Sequence, residues 1–198
     1  MSAAAISLSE MQPPVSLPYR GKVAMASLII AEAAIFTIFV VAYLFYIGKS
    51  LTGPTPRQVL ETPIFYTICL LSSSLTIHYA GRFLEKGERA PFLGLWSLTI
   101  VLGGLFLFGT GQEWHRLIYE HGLTISTNLF GTTYYSLVGL HAFHVTVGII
   151  MLVIVAIFAS AGRVGKEHSP RVEVLSLYWH FVDAVWVVVF AVVYVLGR

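Results

Sequence analysis

The chain has 198 residues, 57% of them hydrophobic and only 11% charged, against about 25% charged in ordinary soluble domains. Its formal net charge of +2 follows from a loop bias described below, so nothing in it supports nucleic-acid binding. The sole cysteine, Cys69, rules out an internal disulfide, argues against a thiolate metal cluster, and reads as a buried inert thiol.

The first 21 residues, "MSAAAISLSEMQPPVSLPYRG", hold three prolines and no apolar core between a basic region and a cleavage site. Residues 1–21 are therefore expected to be an exposed, extended arm that the mature chain keeps, not a signal peptide. A spanning helix needs about 20 mostly apolar residues, and five stretches qualify, at about 22–47, 63–84, 91–112, 132–160 and 172–196. The expected fold class is an all-α membrane protein, with 22–198 forming one domain of five transmembrane helices.

Lysine and arginine set the expected orientation. Arg20 and Lys22, then Arg82, Lys86 and Arg89, then Arg163, Lys166 and Arg171 fall on one side, leaving Lys49, Arg57, Arg116 and Arg198 for the other. The amino terminus should face the cytoplasm and, after an odd number of spans, the carboxyl terminus should lie outside. No second copy of the polar signatures suggests a two-repeat transporter, and there is no Gly-rich phosphate loop.

Chemistry, if any, lies in the few polar residues within the spans. In chain order these are Glu32 in the first, His78 in the second, His141 and His144 in the fourth ("GLHAFHVTVG"), and His180 and Asp183 in the fifth ("LYWHFVDAVWVVVFAVVY"). Each is costly in hydrocarbon unless it is paired or faces the bundle interior. At 1.5 Å rise per residue, Glu32 and Asp183 lie roughly 15 Å from the cytoplasmic end, His144 about 12 Å, and His180 one turn shallower than Asp183. One slab holds all four, so a hydrogen-bonded cluster of Glu32, His144, His180 and Asp183 is geometrically possible. As a neutral acid, Glu32 could bridge toward His144 or His180. Trp179 and Trp186, seven residues apart, share nearly one face and suit either helix contacts or interfacial anchoring. Arg82, Lys86 and Arg89 at the cytoplasmic end of the second span can reach anionic lipid headgroups, worth about 1 kcal/mol each near the surface, or are ordinary positive-inside decoration.

Three readings of the polar residues stand side by side. They can bridge helices structurally, at about 0.6 kcal/mol per contact. They can ligate haem or a metal, since imidazole binds iron, copper and zinc and His141 and His144 share a helical face. They can form a proton or ion relay, although groups at one depth do not cross a membrane. A stand-alone transporter or proton channel and a b-type cytochrome are the corresponding alternative functions.

Several motifs in series carry a resemblance: "IIAEAAIF" (Ile29 to Phe36), "LLSSSLTIHYA" in the second span, "FGTGQEW" closing the third, "TISTNLFGTTYYSLVG" leading into the fourth, "GLHAFHVTVG", and "YWHFVDAVWVVVF" (Tyr178 to Phe190). In this order and spacing the chain resembles subunit III of the haem-copper terminal oxidases, of both cytochrome c and quinol types. The resemblance implies a non-redox subunit of a proton-pumping, oxygen-reducing complex in the bacterial inner membrane. It would dock beside the haem-copper catalytic subunit I and companions such as subunit II, bind phospholipid, and support stability and proton uptake. Haem and copper would reside in the partner subunits. Glu32 takes the position of the family's buried carboxylate, discussed there in connection with proton uptake. His144 matches the second histidine of the paired-histidine motif, Glu113 the acid closing the third helix, and Glu173, His180 and Asp183 the acid and polar pair of the last. Thr110 departs from the glutamine that many relatives carry three residues before the third-helix acid. Longer members of the family have seven helices, of which the resemblance covers the last five; a fused catalytic subunit, another protein or lipid would stand in for the other two.

Overall fold

The computed structural model describes residues 20–50 and 52–197, so nearly all of the arm expected at 1–21 lies outside the described residues. Among the described residues there is no strand, and five helices are long and apolar enough to cross a membrane. They are α1 (Arg20–Tyr46), α2 (Ile64–Lys86), α3 (Arg89–Tyr119), α4 (Leu129–Ser160) and α5 (Ser169–Phe190). The last continues as a π-helical turn, Ala191–Leu196. A single helical turn, Pro56–Val59, interrupts the first loop, and a 3-10 turn, Lys166–His168, leads into α5.

The helices outrun the apolar windows because backbone hydrogen bonding stops at caps, not where hydropathy falls. Thus α3 continues seven residues beyond 112, carrying Glu113, His115 and Arg116 into a helix of 31 residues. At 1.5 Å per residue that is about 46 Å, well beyond a hydrocarbon core of about 30 Å. The caps are identifiable. Gly87 adopts φ 82°, and the amides of Gly87 and Glu88 return to the carbonyls of Leu84 and Phe83, the Schellman arrangement that ends α2. Asn128 accepts from the Gly131 amide at 2.8 Å to start α4, as an N-cap does, and its side-chain amide donates to the carbonyls of Thr52 and Pro54. Pro170 stands in the first turn of α5, where a missing amide hydrogen is harmless.

Helices α4 and α5 form the middle of the bundle. On one side α1 packs against both of them; on the other lies the α2–α3 pair, the most extensive helix contact in the protein, with α3 against α4 and α2 against α5. The ends are tied in matching fashion. Lys22 of α1 meets Glu173 of α5 at 2.6 Å, which gathers the starts of those helices at the end carrying the 82–89 and 163–171 basic loops. At the opposite end Tyr194 donates to Glu113 at 2.7 Å, and Arg116 pairs with Glu61.

Three of the four indoles fill the interior, and each of these three finds a partner across a helix interface. Trp96 donates to the Leu152 carbonyl at 2.9 Å, Trp179 to Ser73 at 2.8 Å and Trp186 to Thr67 at 3.2 Å. All three are essentially fully buried, so Trp179 and Trp186 fill helix contacts and are not interfacial anchors. Trp179 lies between two glycines. A Cβ added at Gly103 of α3 or at Gly148 of α4 would come within 2.8 Å of its ring. Small residues that admit a close neighbour are the usual device of helix packing in lipid, where the hydrophobic effect does not drive helices together. Large apolar side chains such as Ile30, Ile38, Phe65, Phe108 and Phe143 point outward, toward the surroundings expected of a bilayer.

Candidate functional site

The polar residues within the spans divide into separate sites. Between α1 and α4, Glu32 Oε2 lies 3.2 Å from His144 Nε2. The other ring nitrogen, Nδ1, sits 2.8 Å from the Leu140 carbonyl one turn earlier. A carbonyl can only accept, so Nδ1 carries a hydrogen. The contact with Glu32 then holds one further proton, either on the acid with a neutral imidazole or on the imidazolium with a carboxylate. Phe36, one turn along α1, leans on the His144 ring with centroids 5.0 Å apart, and Tyr178 of α5 donates to the His144 carbonyl at 3.2 Å. Side-chain exposure is 8% for His144 and 24% for Glu32, so the acid lies toward the outer edge of this seam.

Between α2 and α5 there is a second set. His180 Nδ1 lies 3.1 Å from Ser74 Oγ, and the same hydroxyl donates to Asp183 Oδ2. Asp183 is 3% exposed, and its second oxygen, Oδ1, is buried without a hydrogen-bond partner among the described residues. The four residues placed in one slab by depth are therefore not one cluster. Depth along a helix says nothing of azimuth: Glu32 turns toward α4 and bonds His144, while His180 and Asp183 turn toward α2 and bond Ser74.

His141 differs from both sets. It is fully buried, neither ring nitrogen has a partner among the described residues, and aromatic rings enclose it. Trp186 stacks on it at 5.0 Å with 29° between planes, and Phe106 and Phe36 present edges at 5.6 and 6.5 Å. Among the described residues no three His, Cys, Asp or Glu side chains converge as a metal would require.

The remaining motif residues lie at the ends. His78 lines a cavity of about 350 Å³ between α2 and α5 together with Arg82, Glu173 and His180. Arg82, Lys86 and Arg89 are exposed. Glu113 takes the Tyr194 hydroxyl on Oε2, while Oε1 is buried without a partner among the described residues. Thr110, the departure noted above, bonds back to the Phe106 carbonyl at 3.1 Å. Sequence reasoning missed Ser74, Ser73, Thr67 and Tyr194, the hydroxyls that complete these contacts. The signal available was "SSS" at 72–74, three small polar groups in a span, of which two must face other helices.

The comparisons extend over nearly the same residues. A family model described as cytochrome c oxidase subunit III matches residues 20–198. The chain is 34% identical over 169 residues to cytochrome c oxidase subunit 3 of Alkalihalophilus pseudofirmus, covering 84% of this chain and 82% of that protein. It is 36% identical to the subunit 3 of the Synechocystis cytochrome c oxidase, over 85% of this chain and 72% of the relative. It is also 32% identical to the cytochrome bo(3) ubiquinol oxidase subunit 3 of Pseudomonas aeruginosa, over 85% and 81%. With five spanning helices whose polar side chains meet in pairs across helix seams, and with that match along the whole described bundle, the chain belongs to the subunit III family of the haem-copper terminal oxidases.

Proposed function

We propose that this chain is a non-redox subunit of its oxidase, a multi-pass bacterial membrane protein that docks beside a haem-copper catalytic subunit and holds it in working order. The complex transfers electrons from cytochrome c or quinol to oxygen; relatives of both names match the chain at similar identity. The observation that carries the reading is how the two imidazoles of α4 are committed. His144 has both nitrogens engaged, by Leu140 and Glu32, and the His141 ring is walled by Trp186, Phe106 and Phe36. Neither presents a free nitrogen to a face where a haem could approach, which supports placing the redox centres in partner subunits. The distribution of basic residues supports an amino terminus in the cytoplasm. The exposed trio Arg82, Lys86 and Arg89 then faces the leaflet where anionic headgroups attract them, and phospholipid is the ligand proposed for that end.

Deleting the subunit from the purified complex tests this. The visible spectrum of the haems should persist, while activity decays faster during turnover and anionic phospholipid is lost from native mass spectra. Disappearance of the haem spectrum from an otherwise assembled catalytic subunit would contradict the reading.

A further inference from the structure

Polar residues recur at helical spacing on two facing surfaces near the basic end of the bundle. On α2 they are Ser74, His78, Arg82 and Glu85; on α5 they are Ser169, Glu173, Ser176, His180 and Asp183. Such a stripe is expected where a helix lines water, and is expensive where it faces lipid. Between the two runs the cavity of about 350 Å³, lined by His78, Arg82, Glu85, Ser169, Glu173 and His180, offers room for several water molecules, since each occupies about 30 Å³ in the liquid. Beyond its inner wall lies Asp183, 3% exposed, with one oxygen on Ser74 and the other without a partner among the described residues. A buried carboxylate oxygen left unpaired points to exchange with a proton or a water molecule.

We propose that this seam is a proton half-channel, open to water at the basic end and closed at Asp183, with His180 and Ser74 passing the proton. The hydrogen bonds give the direction of transfer. Ser74 gives its hydrogen to Asp183 Oδ2, so it accepts one from His180 Nδ1, and His180 Nε2 is the nitrogen left for water in the cavity. A hydronium ion there protonates Nε2 and becomes water. The Nδ1 proton then moves to Ser74 Oγ as the Ser74 proton moves to Asp183 Oδ2. One proton has entered, the aspartate is neutral, the imidazole has changed tautomer and the serine is again a hydroxyl. The charged and titratable groups around this path are His78, Arg82 and Glu85 from α2, Glu173 of α5 with Lys22 of α1 paired to it, and, on α4, His141 and His144. The last two are turned toward Trp186 and Glu32. The channel holds a proton and does not carry it across the membrane. It does not depend on which reaction the complex performs.

Asp183 is the only aspartate in the chain, which makes a direct test available. The full chain, labelled with carbon-13 aspartate, is placed in lipid nanodiscs with its unlabelled companion subunits and followed by infrared spectroscopy. A carboxylic C=O band sensitive to the label should grow as the pH is lowered and shift on transfer to heavy water. Ser74→Ala should slow that exchange about a hundredfold, the scale of a positioned proton-transfer group, and Ser74→Thr should restore it. Gly81→Phe should slow it as well, because Gly81 lines the cavity and an added Cβ there meets nothing within 4 Å. Absence of any label-sensitive carboxylic band at every pH the fold survives would overturn the proposal. So would exchange as fast in Ser74→Ala or Gly81→Phe as in the unaltered chain.

Discussion

Glu32 and His144 share one hydrogen bond and one movable proton, and the two simplest substitutions of the acid separate size from titration. Glu32→Gln keeps a donor and an acceptor near Nε2 and is expected to assemble normally. Glu32→Ala leaves that nitrogen unpaired, at a cost of about 1 to 3 kcal/mol for a buried polar atom, and should lower the midpoint of denaturant-induced release of the subunit. Failure of the glutamine variant to assemble would mean that a charged pair holds the site. His141 invites the opposite change. Its nitrogens have no partner among the described residues and its ring is stacked on Trp186, so His141→Phe keeps the aromatic contact and removes those polar atoms. It should match or exceed the parent in thermal stability; marked destabilisation would show that the imidazole is bonded within the assembled complex. The titratable members of these sites were legible in the sequence because a lone acid or imidazole stands out among apolar neighbours. Ser74, Thr67 and Tyr194 were not, since hydroxyls are common in spans and bond back to their own helix. Thr110 does so on Phe106.

Trp179 shows how the helices are held at their closest approach. Its ring lies where side chains on Gly103 and Gly148 would be, and its N–H reaches Ser73 on α2, so one residue of α5 touches three other helices. Gly148→Ala should destabilise by about 1 to 3 kcal/mol, the usual cost of overpacking a filled interior. Combining it with Trp179→Phe should cost less than the sum of the two changes, since the smaller ring makes room. Equal and additive losses, measured by unfolding in mixed detergent, would show that the contact is looser than it looks. Five helices and their order could be read from hydropathy alone, and their ends could not. The seven residues that α3 adds beyond 112 include Glu113, His115 and Arg116, which end the apolar window, and only the continuing hydrogen-bond ladder shows that they are helical.

The bundle places α4 and α5 in the middle, with the α2–α3 pair on one side and α1 on the other, an arrangement that hydropathy cannot reveal, because mean hydropathy does not follow burial: the third and fifth spans share a value of 2.0, yet the fifth is the more buried. The pairing depends on which faces carry glycine, serine and indole, and those faces are defined only once partners are known. Orientation was read from lysine and arginine, and it can be checked without a structure. In a Cys69→Ala background, Lys49→Cys should react with a membrane-impermeant maleimide from outside the cell, and Glu88→Cys should react only after the membrane is opened. The reverse pattern would invert the topology and move the Arg82, Lys86 and Arg89 cluster to the outer leaflet.

The place of α1 in the bundle also bears on how the protein is made. Its contacts are with α4 and α5, so Glu32 meets a partner 112 residues later in the chain and Lys22 one 151 residues later. At a synthesis rate of about 5–20 residues per second, the first helix stands in the bilayer for on the order of ten seconds before His144 has been translated. The helix made before the other four is therefore the closing piece of the bundle. A nascent chain arrested after α3 still displays the Glu32 acid to lipid, whereas a finished one has it against His144. That acid is a chemical mark of unfinished molecules, available to whatever insertase or protease inspects them.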